Sequence, residues 1–104
     1  YAARMGKISY CVTATVPDED GAREYTGWLL GGHIEGVLLG GAERAEVVRL
    51  DGSPVRIETR YVFASREAFG AYEAGPAAAL REDGRRRFPA ERGYSFERRV
   101  GELL

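Results

Sequence analysis

The chain has 104 residues, of which 44% are hydrophobic and 30% are charged, so its composition predicts one folded domain and excludes a largely disordered chain. The formal net charge of -1 argues against general nucleic-acid binding, which needs a strongly basic surface. No apolar run approaches the length of a membrane span. We therefore expect neither a nucleic-acid partner nor a membrane partner.

The first half of the chain predicts a strand followed by an interrupted helix. Apolar and polar residues alternate over residues 8–16, which is typical of a strand with one face in the core. Turn-forming and acidic residues then predict a helix that starts near residues 18–22. The apolar stripe of this helix continues to Leu38, but Gly31-Gly32 predicts a bend or break, and Gly40-Gly41 predicts the end.

The second half predicts two strands, a further helical region and a final strand. In chain order these are a strand (44–50), a hairpin turn (51–54), a strand (55–64), a helix capped by Ser65 and broken at Gly75-Pro76, a further turn that ends at Asp83-Gly84, and a strand (94–100). The order βαββαβ predicts an α+β, ferredoxin-like fold, in which a four-stranded antiparallel sheet carries two helices on one face.

The predicted fold leaves one face of the sheet uncovered. On the two inner strands this open face carries small polar or charged side chains: Ser9, Cys11, Thr13, Thr15, Arg56, Glu58, Arg60 and Val62. Because a domain of this size cannot enclose a deep pocket alone, we expect two copies to pack sheet to sheet as a homodimer, in the manner of a dimeric α/β barrel.

Two of these open-face residues are candidate ligand-binding residues. Small side chains such as Cys11 leave room between two packed sheets, and Arg60 together with Arg98 or Arg99 provides positive charge for an anionic group. The alternative is that these arginines are solvated or pair with glutamates across the strands.

His33, the only histidine, is the candidate catalytic acid or base, because its titration range lies nearest neutral pH. The alternatives are a structural histidine at a helix end and a nucleophilic dyad with Cys11, which is itself more typical of a small buried residue. With no second histidine and no cysteine pair, no metal site is predicted.

Two other motifs carry alternative functions. Tyr61-Val62-Phe63 is similar to the aromatic pair of RNA-recognition domains, but the first strand offers no aromatic partner on the open face, so core packing is favoured. Arg85-Arg86-Arg87 would suit a phosphate or a protein partner, although basic residues near a helix end also interact favourably with its dipole.

The chain as a whole resembles a family of uncharacterised bacterial single-domain proteins of the dimeric α/β barrel group. The residues that carry the resemblance are Trp28, His33-Ile34, Val37-Leu38, Gly40, Tyr61 to Phe63, Ser65 to Ala68, Tyr72, Pro76, Leu80 to Gly84 and Phe88. The wider group includes small cofactor-free monooxygenases, isomerases, haem-degrading enzymes and stress-responsive proteins. The resemblance implies a small organic molecule held between helices and sheet, often near a histidine.

These observations lead to one main interpretation and two alternatives. The main one is a protein without assigned activity that binds a small molecule near His33, Trp28 and Tyr61, without a cofactor. The alternatives are a cofactor-independent monooxygenase or isomerase, and a protein-interaction module.

The domain limits and the compartment are also predicted. We expect residues 1–7 to be a disordered tail, or one left over from cloning, and residues 8–104 to form a single ferredoxin-like domain. Cys11 is the only cysteine, which excludes an internal disulfide and favours a reducing compartment, the cytoplasm. The preference for arginine over lysine is typical of a GC-rich bacterial genome.

Overall fold

The computed structural model, which describes residues 6–104, contains one four-stranded antiparallel sheet with the strand order β2-β3-β1-β4. The strands are β1 (Ile8–Thr15), β2 (Ala42–Arg49), β3 (Arg56–Phe63) and β4 (Ser95–Glu102). Placing the first and third strands in the centre is the arrangement of the ferredoxin-like fold, so the predicted fold class is confirmed. The first five residues of the predicted N-terminal tail lie outside the described residues.

The helices pack on one face of this sheet. They are α1 (Glu19–Trp28), α2 (Ile34–Leu39), α3 (Arg66–Ala74) and α4 (Ala77–Arg87), with a π-helical turn (Leu29–His33) between α1 and α2 and a short 3-10 turn (Ala90–Arg92) before β4. Each of the two predicted helical regions is therefore divided in two.

Side-chain caps mark the starts of α1 and α3, and the cap at Ser65 is the predicted one. The side chain of Asp18 accepts a hydrogen bond from the backbone N–H of Gly21 at 2.7 Å, and the hydroxyl of Ser65 accepts one from the N–H of Ala68 at 3.0 Å. Each cap satisfies an N–H group that has no partner within its helix.

The predicted break between α1 and α2 is confirmed at Gly32, whose φ of 143° is a conformation that L side chains rarely adopt. The predicted end of α4 at Asp83-Gly84 is wrong, because the helix continues to Arg87. Gly84 instead permits a close approach, since a Cβ built there would lie 3.1 Å from the Trp28 ring. Tertiary packing therefore outweighs the low helix propensity of this glycine.

The alternation predicted for β1 and β3 divides their side chains correctly between the two faces. Ile8, Tyr10 and Ala14 are buried beneath the helices, as are Tyr61 and Phe63. The core forms two clusters, one around the Tyr10, Phe63 and Tyr72 side chains and one around Tyr25. Side chains of both clusters line one cavity between the helices and the sheet.

The open face is polar, as its sequence predicts. Glu58 lies at its centre, where it accepts hydrogen bonds from Thr13 Oγ1 at 2.9 Å and from Arg60 Nε at 2.6 Å. The bond to Arg60 is the main reason why the pKa of Glu58 lies below its ordinary value. Cys11 lies directly opposite Arg60 in the β1–β3 register and opposite Arg99 in the β1–β4 register.

Candidate functional site

A cavity of about 270 Å³ lies between the helices and the sheet, and we call it the aromatic cavity. Its floor comes from Tyr10, Val12, Tyr61, Phe96 and Arg98 on the strands, and its other walls from Tyr25, Trp28, His33, Val37, Tyr72, Leu80, Arg81, Gly84 and Arg85 on the helices. Seven of these fourteen side chains are aromatic when His33 is counted with them.

Three of the predicted site residues, His33, Trp28 and Tyr61, line this cavity together. The rings of His33 and Trp28 are stacked, with centroids 4.0 Å apart and planes inclined by 24°. Trp28 is positioned in turn by Asp83, because its indole Nε1 donates a hydrogen bond to Asp83 Oδ2 at 3.0 Å. The π-helical turn at the end of α1 thus presents both rings to the cavity.

The surroundings of His33 keep its imidazole neutral. Burial lowers its pKa from 6.5 to about 4, although the nearby Asp83 carboxylate acts in the opposite direction. Hydrogen bonds from Trp28 and Arg87 lower the pKa of Asp83 to about 2, so this residue stays ionised and continues to hold the indole. At neutral pH the cavity wall therefore contains an uncharged imidazole with one nitrogen able to accept a proton.

Tyrosine hydroxyls form a second polar feature of the cavity. Tyr61 is only 1% exposed, and its hydroxyl has no hydrogen-bond partner within residues 6–104. The neighbouring Tyr10, whose ring stacks on Tyr61 at 5.7 Å, accepts a hydrogen bond from Arg81 Nη2 at 3.3 Å. Burial raises the pKa of Tyr61, so its phenol stays protonated and able to donate a hydrogen bond.

The structure places Cys11 and Arg60 away from the aromatic cavity, on the open face of the sheet. Since His33 lies on the helical side, the alternative dyad of Cys11 and His33 does not form. The two arginines grouped with Arg60 in the sequence also separate: Arg98 lines the aromatic cavity, whereas Arg99 lies on the open face and donates to Glu97 at 3.1 Å.

The two motifs that suggested other functions make contacts within this domain. Tyr61 and Phe63 are buried under the helices, so neither ring is available on the open face. The three consecutive arginines, Arg85 to Arg87, pair with carboxylates on their own helix: Arg85 with Glu82 at 2.6 Å, and Arg86 and Arg87 with Asp83 at 2.8 and 3.0 Å.

Sequence reasoning missed several residues of the cavity wall. Tyr10 was predicted only as part of the core face of its strand, and Tyr72 and Arg81 entered only through the family resemblance, which gave them no role at the site. A usable signal existed for Tyr10, because the alternation places it on the same side of the sheet as Tyr61. Within the described residues, no group of three His, Cys, Asp or Glu side chains is arranged to hold a metal ion.

Comparison with known proteins identifies the fold. No protein-family model and no curated protein matches this chain. Among solved structures, it is similar to a dimeric ferredoxin-like protein from an uncultured marine organism, with a TM-score of 0.69, 15% identity, and coverage of 95% of this chain and 96% of that chain. It is also similar to SnoaB, a cofactor-independent oxygenase from Streptomyces nogalater, with a TM-score of 0.68, 13% identity and coverage of 95% and 94%.

A third similar structure is an ethyl tert-butyl ether d (ethd) family protein from Bacillus halodurans, with a TM-score of 0.68, 14% identity, and coverage of 93% of this chain and 99% of that chain. At such identities the comparisons establish a common fold. They agree with the resemblance found in the sequence to ferredoxin-like proteins of the dimeric α/β barrel group. In residues 6–104, no helix combines the length and the apolar character that crossing a membrane requires.

Proposed function

We propose that this protein binds a small planar organic molecule in the aromatic cavity, and that His33, Trp28 and Tyr61 contact it. The observation that carries this proposal is the cavity itself: aromatic side chains line a space of about 270 Å³ between the helices and the sheet. Apolar walls with a few polar groups are typical of small-molecule sites, and this volume, just below the usual range of about 300–1,000 Å³, suits a small ligand.

A second candidate function is a cofactor-independent oxygenase or isomerase that acts on a phenolic or carbonyl compound. The observation in its favour is the neutral imidazole of His33, which can accept a proton from an acidic O–H or C–H group of a bound compound. The shared fold with the oxygenase SnoaB adds support by analogy. Return of the proton to another carbon would give an isomerase, and reaction of the resulting anion with dioxygen would give an oxygenase.

We also propose that the working form is a homodimer in the bacterial cytoplasm, formed through the open faces of two sheets. The support for the dimer is the uncovered second face of the sheet, together with a structural neighbour that is itself described as dimeric. In this arrangement Cys11 and Arg60 lie between the two sheets. The single cysteine supports a reducing compartment.

Trp28 offers a direct test of ligand binding. It is the only tryptophan, so the two-dimensional ¹H–¹⁵N NMR spectrum contains one indole N–H signal, and the ring that carries this N–H lines the cavity. A panel of one-ring and two-ring phenols, ketones and aromatic acids is titrated into the protein. We expect at least one compound to shift the indole signal in a saturable way.

A matched pair of variants locates the binding. Val12→Phe fills part of the cavity floor and should abolish the shift, whereas Val48→Phe changes a half-buried valine of β2 outside the cavity wall and should preserve it. If no compound of the panel shifts the signal, or if Val12→Phe binds as well as the original protein, the proposal is wrong. Oxygen uptake or product formation with a bound compound would favour the enzyme over a simple binding protein.

A further inference from the structure

The charged side chains that line the aromatic cavity are all positive. They are Arg81, Arg85 and Arg98, and no aspartate or glutamate belongs to the wall. Arg85 is compensated by Glu82, at 2.6 Å on the same helix, and Arg81 pairs with Glu73 outside the wall. Three arginines at one cavity favour an anionic ligand, because their positive potentials add there.

Two of these arginines retain unused hydrogen-bonding capacity. The Nε–H of Arg81 is buried without a partner, although its Nη2 already contacts Tyr10 and Glu73. Arg98 makes neither an ion pair nor a side-chain hydrogen bond to any of residues 6–104. A buried donor without an acceptor is unfavourable, so an oxygen atom of a ligand that approaches Arg81 would relieve this.

The fold brings the two arginines to the same cavity from different sides. Arg98 lies on β4 beside Val12 in the sheet, whereas Arg81 extends from α4 to the Tyr10 hydroxyl. Both guanidinium groups act on the Tyr72 hydroxyl and tend to lower its pKa, which burial nevertheless raises to about 12. Arg81, Arg98 and Tyr72 all line the same cavity.

The apolar part of the cavity accommodates a flat ring. The ring of Tyr25 has two aromatic neighbours in the cavity wall, with the Trp28 centroid at 5.8 Å and the Phe96 centroid at 5.9 Å. Aromatic rings at such spacings favour stacked or edge-on contacts with a further ring. With a volume of about 270 Å³, the cavity has room for one or two fused rings.

We infer that the ligand of the aromatic cavity is a planar aromatic carboxylate, with its rings among Tyr25, Trp28 and Phe96 and its carboxylate between Arg81 and Arg98. This inference rests on the proposed binding function and specifies the class of ligand. The buried Tyr61 hydroxyl, which has no partner of its own, provides a further donor in the same wall. Arginine suits this role because its planar, permanently charged group forms short, charge-assisted hydrogen bonds to carboxylates.

The test compares 2-naphthoate with 2-naphthamide, two compounds of almost the same shape that differ in charge. Isothermal titration calorimetry at pH 7.5 should give a dissociation constant at least about tenfold lower for the carboxylate, as charge-assisted hydrogen bonds imply. Raising the salt concentration should weaken only the binding of the carboxylate.

Adjacent arginines of β4 supply the variant and its control. Arg98→Gln should remove most of the preference for 2-naphthoate and lower the affinity for 2-naphthamide much less, because the neutral amide loses no charge-assisted hydrogen bond. Arg99→Gln, one residue further along the strand but on the open face, should keep the preference. Both side chains are exposed, and circular dichroism checks that both variants remain folded.

The outcomes separate this inference from the function on which it rests. Equal affinity for the two naphthalene compounds, or a preference that survives Arg98→Gln, would overturn the carboxylate assignment and leave ligand binding intact. The same holds if neither compound binds while a phenol or ketone of the NMR panel shifts the Trp28 signal. If no compound of any kind binds, the proposed function fails as well.

Discussion

At the scale of single residues, the pair of Trp28 and His33 shows how the chain builds its candidate site. Gly84 leaves space for the indole against α4, Asp83 holds the indole N–H, and the stacked imidazole loses water on the side of the Trp28 ring. Desolvation of the imidazole is the main reason why its pKa falls. The same contacts that position His33 therefore also determine its charge.

This gives a prediction about acid stability. A histidine whose pKa is about 4 in the folded state and near 6.5 in the unfolded state binds protons more readily when the protein unfolds. The free energy of unfolding should therefore decrease as the pH falls from about 6.5 towards 4, by up to about 3 kcal/mol from this residue. Urea unfolding at pH 7.5 and at pH 4.5 measures the decrease.

The control for this measurement is His33→Gln, which keeps a polar side chain of similar length but does not titrate. Asp83 stays ionised throughout this pH range, because its pKa of about 2 lies below it. The variant should lose less stability than the original protein between pH 7.5 and pH 4.5. An identical loss in both proteins would show that His33 is not held in its neutral form by the fold.

At the scale of secondary-structure elements, the junction of α1 and α2 is the feature that places His33. A continuous helix would carry the apolar stripe straight on, whereas the π-helical turn Leu29–His33 redirects the chain at Gly32. The sequence predicted a break here because of its two consecutive glycines. It did not predict the π-helical turn, which depends on how α1 and α2 each pack on the sheet.

The two glycines are expected to respond in opposite ways to substitution. Gly32→Ala should destabilise the protein by roughly 1–2 kcal/mol, because a φ of 143° is strained for any residue with a Cβ. Gly31→Ala should be neutral or stabilising by up to about 1 kcal/mol, because Gly31 has a negative φ and nothing lies within 4 Å of the added methyl group. Urea denaturation of the two variants makes the comparison, and equal effects would contradict the structure of this junction.

At the scale of the whole molecule, the two faces of the sheet have different roles. The helical face holds the core and the aromatic cavity, while the open face presents a polar network around Glu58 with Cys11 nearby. A second copy of the chain is the proposed occupant of the open face. Cys11 is the only cysteine, so its thiol reports on whether this face is covered.

The dimer predicts that labelling of Cys11 depends on protein concentration. A bulky thiol reagent should react slowly when the protein is concentrated and faster on dilution, as dimers dissociate and uncover the open face. The control is the double variant Cys11→Ser with Ala78→Cys, which places the thiol on an exposed part of α4, where dilution should change nothing. A constant rate for Cys11, together with a mass of 11.4 kDa by light scattering, would rule out the dimer.

The sequence by itself determined the fold class, the two faces of the central strands, the helix cap at Ser65, and the break at Gly31-Gly32. These features are encoded locally, because alternation, capping and glycine conformation act over a few neighbouring residues. The chain also pointed to His33, Trp28 and Tyr61 as residues that meet at one site.

Only the tertiary structure decided what surrounds those three residues. Arg81 and Arg98 are 17 positions apart, and Tyr10 lies some 70 residues before Arg81, yet all three line one cavity. A cavity is space that packed side chains leave unfilled, so it depends on the relative positions of helices and strands, and no local pattern records it. Strand alternation already assigns Cys11 and Arg60 to the open face, but only the tertiary structure shows that the cavity, with Arg98 in its wall, lies on the other face.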